Sequence, residues 1–180
     1  MSGTATAARA WALLADVPDP EIPVLSVLDL GIVRDVREST DGREVSVIIT
    51  PTYSGCPATE VIAHDVRSAL ETSYDAVDVQ TQLSPAWTTD WMSEAGRQKL
   101  HQFGIAPPSG RANVINIGTT IGHRPPDHQL VDHVRSDAPD GCPRCGSPDV
   151  EELAGFGSTP CKALWRCTSC REPFDYFKKH

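Results

Sequence analysis

Between residues 58 and 70, apolar side chains recur at steps of three and four: Ala58, Val61, Ile62, Val66, Ala69 and Leu70. That spacing lays one apolar stripe along a helix of about residues 57–72. The run Val45-Ser46-Val47-Ile48-Ile49 ahead of it is the apolar centre of a strand over Glu44–Thr50. Gly31 to Arg37 alternates apolar and polar residues, which predicts a second strand. Asp41-Gly42 between the two is a hairpin signal. Val77 to Leu83 alternates again and predicts a third strand. Hairpin, turn and helix make one compact unit.

Outside this unit the pattern is plainer. Residues 5–16 are rich in alanine and leucine and predict a helix, with Trp11 and Leu14 on an apolar edge, stopping before Pro18. Asp19-Pro20-Glu21-Ile22-Pro23 follows. Its two prolines impose an extended segment that spaces two carboxylates rigidly. Val24 to Gly31 predicts a turn or irregular helix ended by glycine, and Asp29 adds a third acid. Trp87 and Trp91 read as packing residues. Thr89 or Asp90 is expected to cap a helix running to about Phe103, ended by Gly104. Arg111 to Gly118 predicts a short strand. Residues 119–140 are rich in Pro, Asp and His and predict a linker. His123, His128 and His133 lie there at five-residue intervals, a spacing that suits solvated side chains better than ligands. The organisation expected is a domain over 1–118, a linker over 119–140 and a tail over 141–180.

Charge narrows the partners. The chain of 180 residues carries a net −8, distributed as −9 over residues 1–140 and +1 over residues 141–180. An acidic body lacks the basic stripe with which proteins displace counterions from nucleic acid. At 39% hydrophobic residues it has no apolar run of membrane-spanning length. The N-terminus lacks the long apolar stretch of a secretory signal, so a cytoplasmic protein is expected.

Five of the six cysteines follow residue 141. Cys142-Pro143-Arg144-Cys145 and Cys167-Thr168-Ser169-Cys170 are paired knuckles separated by 21 residues. Each knuckle turns two thiolates inward, and two knuckles complete a tetrahedral site, for which zinc is the expected metal. Val150–Leu153, Ala163–Arg166 and Phe174–Phe177 predict the ribbon strands between and after them. A tail of about 40 residues buries too little core to fold alone, so closed zinc coordination would supply much of its stability.

Cys56 and Cys161 remain. Cys56 sits in Thr50-Pro51-Thr52-Tyr53-Ser54-Gly55-Cys56-Pro57, between strand and helix. With Pro57 in the first turn, Cys56 would be the N-cap, its sulfur facing free amides that stabilise a thiolate. It is either a nucleophilic or metal-binding thiolate or a small residue filling a tight corner; both stay open. Cys161, beside Lys162 in an irregular turn, is either an activated thiolate or a spare buried thiol. If functional, the two would help hold a transient iron or iron–sulfur species, with a dimer, a client protein or a small thiol completing a ligand set that two thiolates cannot fill. An enzyme using Cys56 as nucleophile lacks a base nearby, since His64 falls on the polar face of the helix.

With these residues assembled, the chain resembles a known family. Asp19-Pro20-Glu21-Ile22-Pro23, Asp29-Leu30-Gly31, Thr52-Tyr53-Ser54-Gly55-Cys56-Pro57-Ala58 and Pro85-Ala86-Trp87-Thr88 resemble the iron–sulfur cluster assembly domain of SufT-like and PaaD-like proteins. Cys142 to Phe177, with Gly157-Ser158-Thr159-Pro160-Cys161-Lys162-Ala163 and Glu172-Pro173-Phe174-Asp175-Tyr176-Phe177-Lys178, resembles the zinc-binding tail of the PaaD-like members. Pro160 departs from the small residue expected before Cys161. The resemblance implies an α+β fold, with a small mixed or antiparallel sheet packed by helices and a C-terminal four-cysteine zinc ribbon. It implies a role in maturing iron centres of the phenylacetyl-CoA epoxidase system in aerobic phenylacetate degradation. Cys56 would be the residue most needed, with Asp19, Glu21, Thr52 and Gly55 in support. The implied partners are the epoxidase's reductase or oxygenase component, general iron–sulfur assembly proteins and a second copy in a homodimer. The rival role is a non-catalytic subunit or zinc-ribbon adaptor of the oxygenase.

Overall fold

The computed structural model describes residues 7–109 and 137–179. The expected strand at 111–118, the linker up to residue 136 and His123, His128 and His133 lie outside the described residues. Two three-stranded sheets organise the described part.

The first sheet grows from the hairpin read in the sequence. Strand β1 (Val33–Glu38) pairs antiparallel with β2 (Glu44–Ile49), and the chain turns at Gly42, whose φ is +68°. β2 leads through helix α2 (Thr59–Glu71) to β3 (Ala76–Thr81), which lies parallel to β2. The sheet is therefore mixed, in order β1-β2-β3. Val45, Val47 and Ile49 alternate onto one buried face, and α2 lays Ile62, Val66 and Leu70 into the same core. The periodicity puts Val61 in that stripe too, but it is exposed, one helical step from Ile62.

Helix α1 (Ala8–Ala15) joins this core through Ala10 and Leu14. Trp11 does not form the expected apolar edge: it stays 38% exposed. The buried stripe runs Ala7, Ala10, Leu14 and Val17, and Trp11 lies one residue, about 100°, off it.

Asp29 and Gly31 fix the next corner. The Asp29 carboxylate accepts from the Ser26 amide and hydroxyl and from Lys99 Nζ at 2.6 Å. It is thus a structural clasp between this corner and helix α3 (Glu94–Phe103). Gly31 has φ +67°, and a Cβ there would stand 2.2 Å from the Trp91 carbonyl oxygen, so only glycine fits. The helix expected from Thr89 or Asp90 breaks in two. A 3₁₀ turn spans Thr89–Trp91, Met92 is extended, and α3 is capped by Ser93, whose hydroxyl accepts from the Gly96 amide at 2.9 Å. Gly104 ends α3 with φ +86°, as the sequence predicts.

The second sheet is antiparallel, β4 (Val150–Ala154), β5 (Lys162–Cys167) and β6 (Pro173–Phe177). It is docked on the first unit. Ala106 donates to the Asp175 carbonyl at 2.8 Å and accepts from the Phe177 amide at 2.9 Å. Phe177 and Cys161 belong to the core of the first unit, and the Phe177 ring lies 6.1 Å from that of Trp87. Trp87 is buried as expected, its indole N–H donating to the Leu30 carbonyl. The fold is α+β. None of the helices in the described residues is long and apolar enough to cross a membrane.

Candidate functional site

Where the two sheets meet there is a small cavity lined by Asp19, Glu21, Thr52, Cys56, Cys161 and Phe177, among others. Three segments distant in sequence converge on it. The first is the Asp19-Pro20-Glu21 corner. Asp19 Oδ1 accepts from the amides of Glu21 and Ile22 at 2.9 and 2.7 Å, a local turn that holds the corner rigid. The second is the β2–α2 turn carrying Thr52 and Cys56. The third is the loop between β4 and β5, which delivers Cys161. The open volume is about 10 Å³, room for roughly one water-sized atom.

Cys56 and Cys161 therefore meet within one chain, with no second copy needed to bring the thiols to one cavity. The Cys161 thiol contacts the Thr159 hydroxyl at 3.0 Å and lies 3.9 Å from Glu21 Oε2. Pro160 is exposed while Cys161 is buried, so the unexpected proline leaves the sulfur facing inward.

Neither thiol sits in the activating setting that the sequence offers as one of two alternatives. Cys56 is not the N-cap: α2 begins at Thr59, after Ala58. The Cys56 carbonyl instead accepts from the Thr59 amide and hydroxyl, at 3.2 and 2.8 Å. Burial pushes the Cys56 thiol above its ordinary range; the Ala58 amide opposes this, and the Glu21 charge adds to it. Burial likewise raises Cys161, against the Thr159 hydroxyl, and Glu21 raises it further than Lys162 can offset. Lys162 is itself buried and pairs with Asp175 at 3.2 Å. Burial also raises Asp19, against the Ile22 and Glu21 amides, and raises Glu21, where Asp19 adds to the effect. The cavity thus gathers two thiols and two carboxyls, each shifted upward from its ordinary range by burial.

Two residues expected in supporting or acidic roles stand apart. Gly55 is exposed and outside the cavity lining, and a Cβ added there would meet Tyr53 Cε2 at an ordinary 3.9 Å. Asp29 is engaged by Ser26 and Lys99. His64 is exposed, and no histidine is among the residues lining the cavity.

Tyr53 stands in the sequence only as one residue of the turn motif. Its hydroxyl is shielded from solvent, and the Cys56 side chain is its hydrogen-bonding neighbour. Burial pushes the hydroxyl up to about 12, and the charges of Cys56, Glu21 and Cys161 push in the same direction, although Tyr53 lines a neighbouring pocket with Thr52, Ser54 and Trp87 and not this cavity. Sequence carries no signal for this, because the burial of one side-chain atom is a tertiary fact.

The four remaining cysteines form a separate group. The sulfurs of Cys142, Cys145, Cys167 and Cys170 all lie within 4.8 Å of one another. Cys142 and Cys170 are 3.8 Å apart, and Cys145 and Cys167 are 3.6 Å apart. A regular tetrahedron of sulfurs about 2.3 Å from a central metal has edges of about 3.8 Å, so the donor set fits such an ion. The Arg144 and Cys170 amides donate to Cys142 and Cys167 sulfurs, each at 3.4 Å. The Cys170 amide helps hold the Cys167 thiol down at about 7. Cys170 is pushed up to about 12: the Glu172 amide opposes this, but burial and the neighbouring thiols prevail. Four ionised thiols at this spacing need a central cation.

Comparison with known proteins places both halves. Residues 7–81 match the model of the iron-sulfur cluster assembly protein family, and residues 126–178 match the PaaD zinc beta ribbon domain. The chain is 48% identical over 169 residues to an Escherichia coli (strain K12) protein named for a component of 1,2-phenylacetyl-CoA epoxidase, covering 93% of this chain and 90% of that one. It is 39% identical over 90 residues to a Porphyromonas gingivalis protein named Fe-S protein maturation auxiliary factor, covering 49% of this chain and 84% of that one. A crystal structure of a domain of unknown function from Bacillus anthracis aligns with a TM-score of 0.49 at 28% identity, covering 52% of this chain and 89% of that one. Matched along nearly its whole length, the chain belongs to the PaaD family, in which an iron–sulfur cluster assembly domain is joined to a zinc beta ribbon.

Proposed function

We propose that this protein is a non-catalytic maturation factor that holds iron in transit to an iron or iron–sulfur centre of the phenylacetyl-CoA epoxidase system, in aerobic phenylacetate degradation. The observation that carries this is the convergence of Cys56 and Cys161 with Asp19 and Glu21 in one cavity. Thiolates suit iron, and carboxylates beside them offer a weaker, exchangeable hold. The room in the cavity favours a single ion over a preformed cluster, which would need the β4–β5 loop to open. As a cation arrives, Cys56 and Cys161 release their protons to solvent and their sulfurs become ligands. The burial that disfavours those thiolates keeps the hold weak enough for release.

Cys142, Cys145, Cys167 and Cys170 hold structural zinc, with every donor used and no open position for chemistry. The transfer takes place in the cytoplasm. Partners are the reductase or oxygenase component that receives the iron, general iron–sulfur assembly proteins that supply it, and a second copy where a larger cargo needs more ligands.

Coexpression of the epoxidase components with native chain or Cys56→Ser tests the proposal. The variant should keep its fold and its zinc yet leave the client's iron centre unfilled. Full client iron content with Cys56→Ser would sink it.

A further inference from the structure

We propose that Cys56 and Cys161 are a redox pair: a low-molecular-weight disulfide converts them to an intrachain disulfide that closes the cavity and ties the ribbon to the body. The bond stands on the placement of the two thiols alone; its effect on cargo rests on the carrier role proposed above. All six cysteines are free thiols. Four of them form the ribbon's sulfur group, and the other two line one cavity. That cavity has about 10 Å³ of open volume, room for roughly one water-sized atom. The two sulfurs therefore have a short gap to close to reach the roughly 2 Å of a disulfide bond.

Both cysteines lie in turns, Cys56 ahead of α2 and Cys161 one residue before β5. Each backbone is held in place: the Cys56 amide donates to the Tyr53 carbonyl at 3.1 Å, and the Cys161 carbonyl accepts from the Lys178 amide at 2.9 Å. Glu21 stands 3.9 Å from the Cys161 sulfur and is only half-buried, so it can swing towards solvent as the bond closes. Cys56 is half-buried and Cys161 is 5% exposed. A reagent thus meets Cys56 first, and Cys161 is the resolving thiol.

The exchange balances in two steps. Cys56 gives its proton to solvent and attacks one sulfur of oxidised glutathione. A Cys56–glutathione bond forms, the reagent's own S–S bond breaks, and one glutathione leaves and takes up a proton. Cys161 then gives up its proton and attacks the Cys56 sulfur, expelling the second glutathione. The cysteines lose two electrons and the reagent gains them. With both sulfurs in the bond, neither can ligate a cation, so the oxidised chain is an empty carrier held shut.

The test incubates the full-length chain, zinc in its ribbon, with excess oxidised glutathione under anaerobic conditions, and measures zinc alongside. Thiols titrated after denaturation with a chelator should show the loss of two of the six, and peptide mapping should place the bond between Cys56 and Cys161. In Cys161→Ser the reaction should stop at the mixed disulfide on Cys56, because nothing resolves it. A native chain that keeps six thiols, accumulates that same mixed disulfide or pairs any other cysteines overturns the proposal. The effect on cargo is read separately with iron(II). The reduced chain should take up iron beyond its zinc, the oxidised chain should lose that uptake, and reduction should restore it. Uptake undiminished by a mapped Cys56–Cys161 bond overturns the closure of the cavity. A reduced chain that takes up no iron ends the carrier role, while the mapping still decides whether the two thiols pair.

Discussion

Phe177→Ala should lift the ribbon from the body and uncover Cys161 while leaving the four-cysteine group intact. Phe177 ends β6 with 1% of its surface exposed, packs against the Trp87 ring at 6.1 Å and lines the cavity beside Cys161. Its truncation removes a whole buried aromatic side chain, a change worth about 3–5 kcal/mol. The Lys178 amide keeps its bond to the Cys161 carbonyl at 2.9 Å within the ribbon, whereas the Phe177 amide's bond to the Ala106 carbonyl at 2.9 Å spans the junction and opens with it. The loss therefore falls on docking, not on the strands of the ribbon. At the lower end, about 3 kcal/mol multiplies the undocked population about a hundredfold. When opening and closing are fast, a buried thiol is alkylated in proportion to that population. The assay is the rate of maleimide labelling of Cys161 in a Cys56→Ser background, with zinc content measured alongside. Labelling should rise about a hundredfold at unchanged zinc. A rise below about threefold, which corresponds to less than 1 kcal/mol, would refute the claim that Phe177 clamps Cys161 in place.

Two further outcomes follow from the geometry. Gly31→Ala must place a methyl 2.2 Å from the Trp91 carbonyl oxygen at φ +67°, so urea unfolding should show a loss of about 3 kcal/mol or more, and a loss under about 1 kcal/mol would show that the corner relaxes freely. Cation binding in the cavity should release protons, because burial holds both Cys56 and Cys161 above their ordinary range and both are protonated at neutral pH; affinity should therefore rise with pH, approaching two protons per ion, and calorimetry in buffers of different ionisation enthalpy that finds no proton release would contradict the two-thiol site.

Local periodicity made most elements legible. The Asp41-Gly42 hairpin, the stripe Ile62, Val66 and Leu70, the Gly104 stop and the ribbon strands all depend on neighbours along the chain, and the structure has them. The knuckle spacing likewise brought Cys142, Cys145, Cys167 and Cys170 together. What escaped depends on distant contacts. Ser93 caps α3 in place of Thr89 or Asp90 because the 3₁₀ turn and extended Met92 delay the helix. Cys56 lies away from the helix N-cap, and burial and the Glu21 charge raise its thiol against the Ala58 amide. The side chains of Glu21 and Cys161 touch across 140 positions of sequence, and no local pattern could place them side by side.

The two cysteine sites in this chain differ in preparation, and the difference suits different tasks. Among the described residues, the ribbon's four sulfurs are the group already gathered at metal-ligand spacing. A metal entering there moves little and should stay. The cavity is less prepared: Cys161 stands 3.9 Å from Glu21, and burial holds its thiol and that of Cys56 above their ordinary range. Each of these would have to change for the proposed cargo to bind, and each change would subtract from affinity. Strand β5 joins the two sites, beginning one residue after Cys161 and ending at Cys167. An ion held tightly at one end of this short strand would fix the thiol at the other end, while leaving that thiol free to bind the proposed cargo weakly. A carrier needs this division, because one site of intermediate strength could not both stabilise the ribbon and surrender its ion.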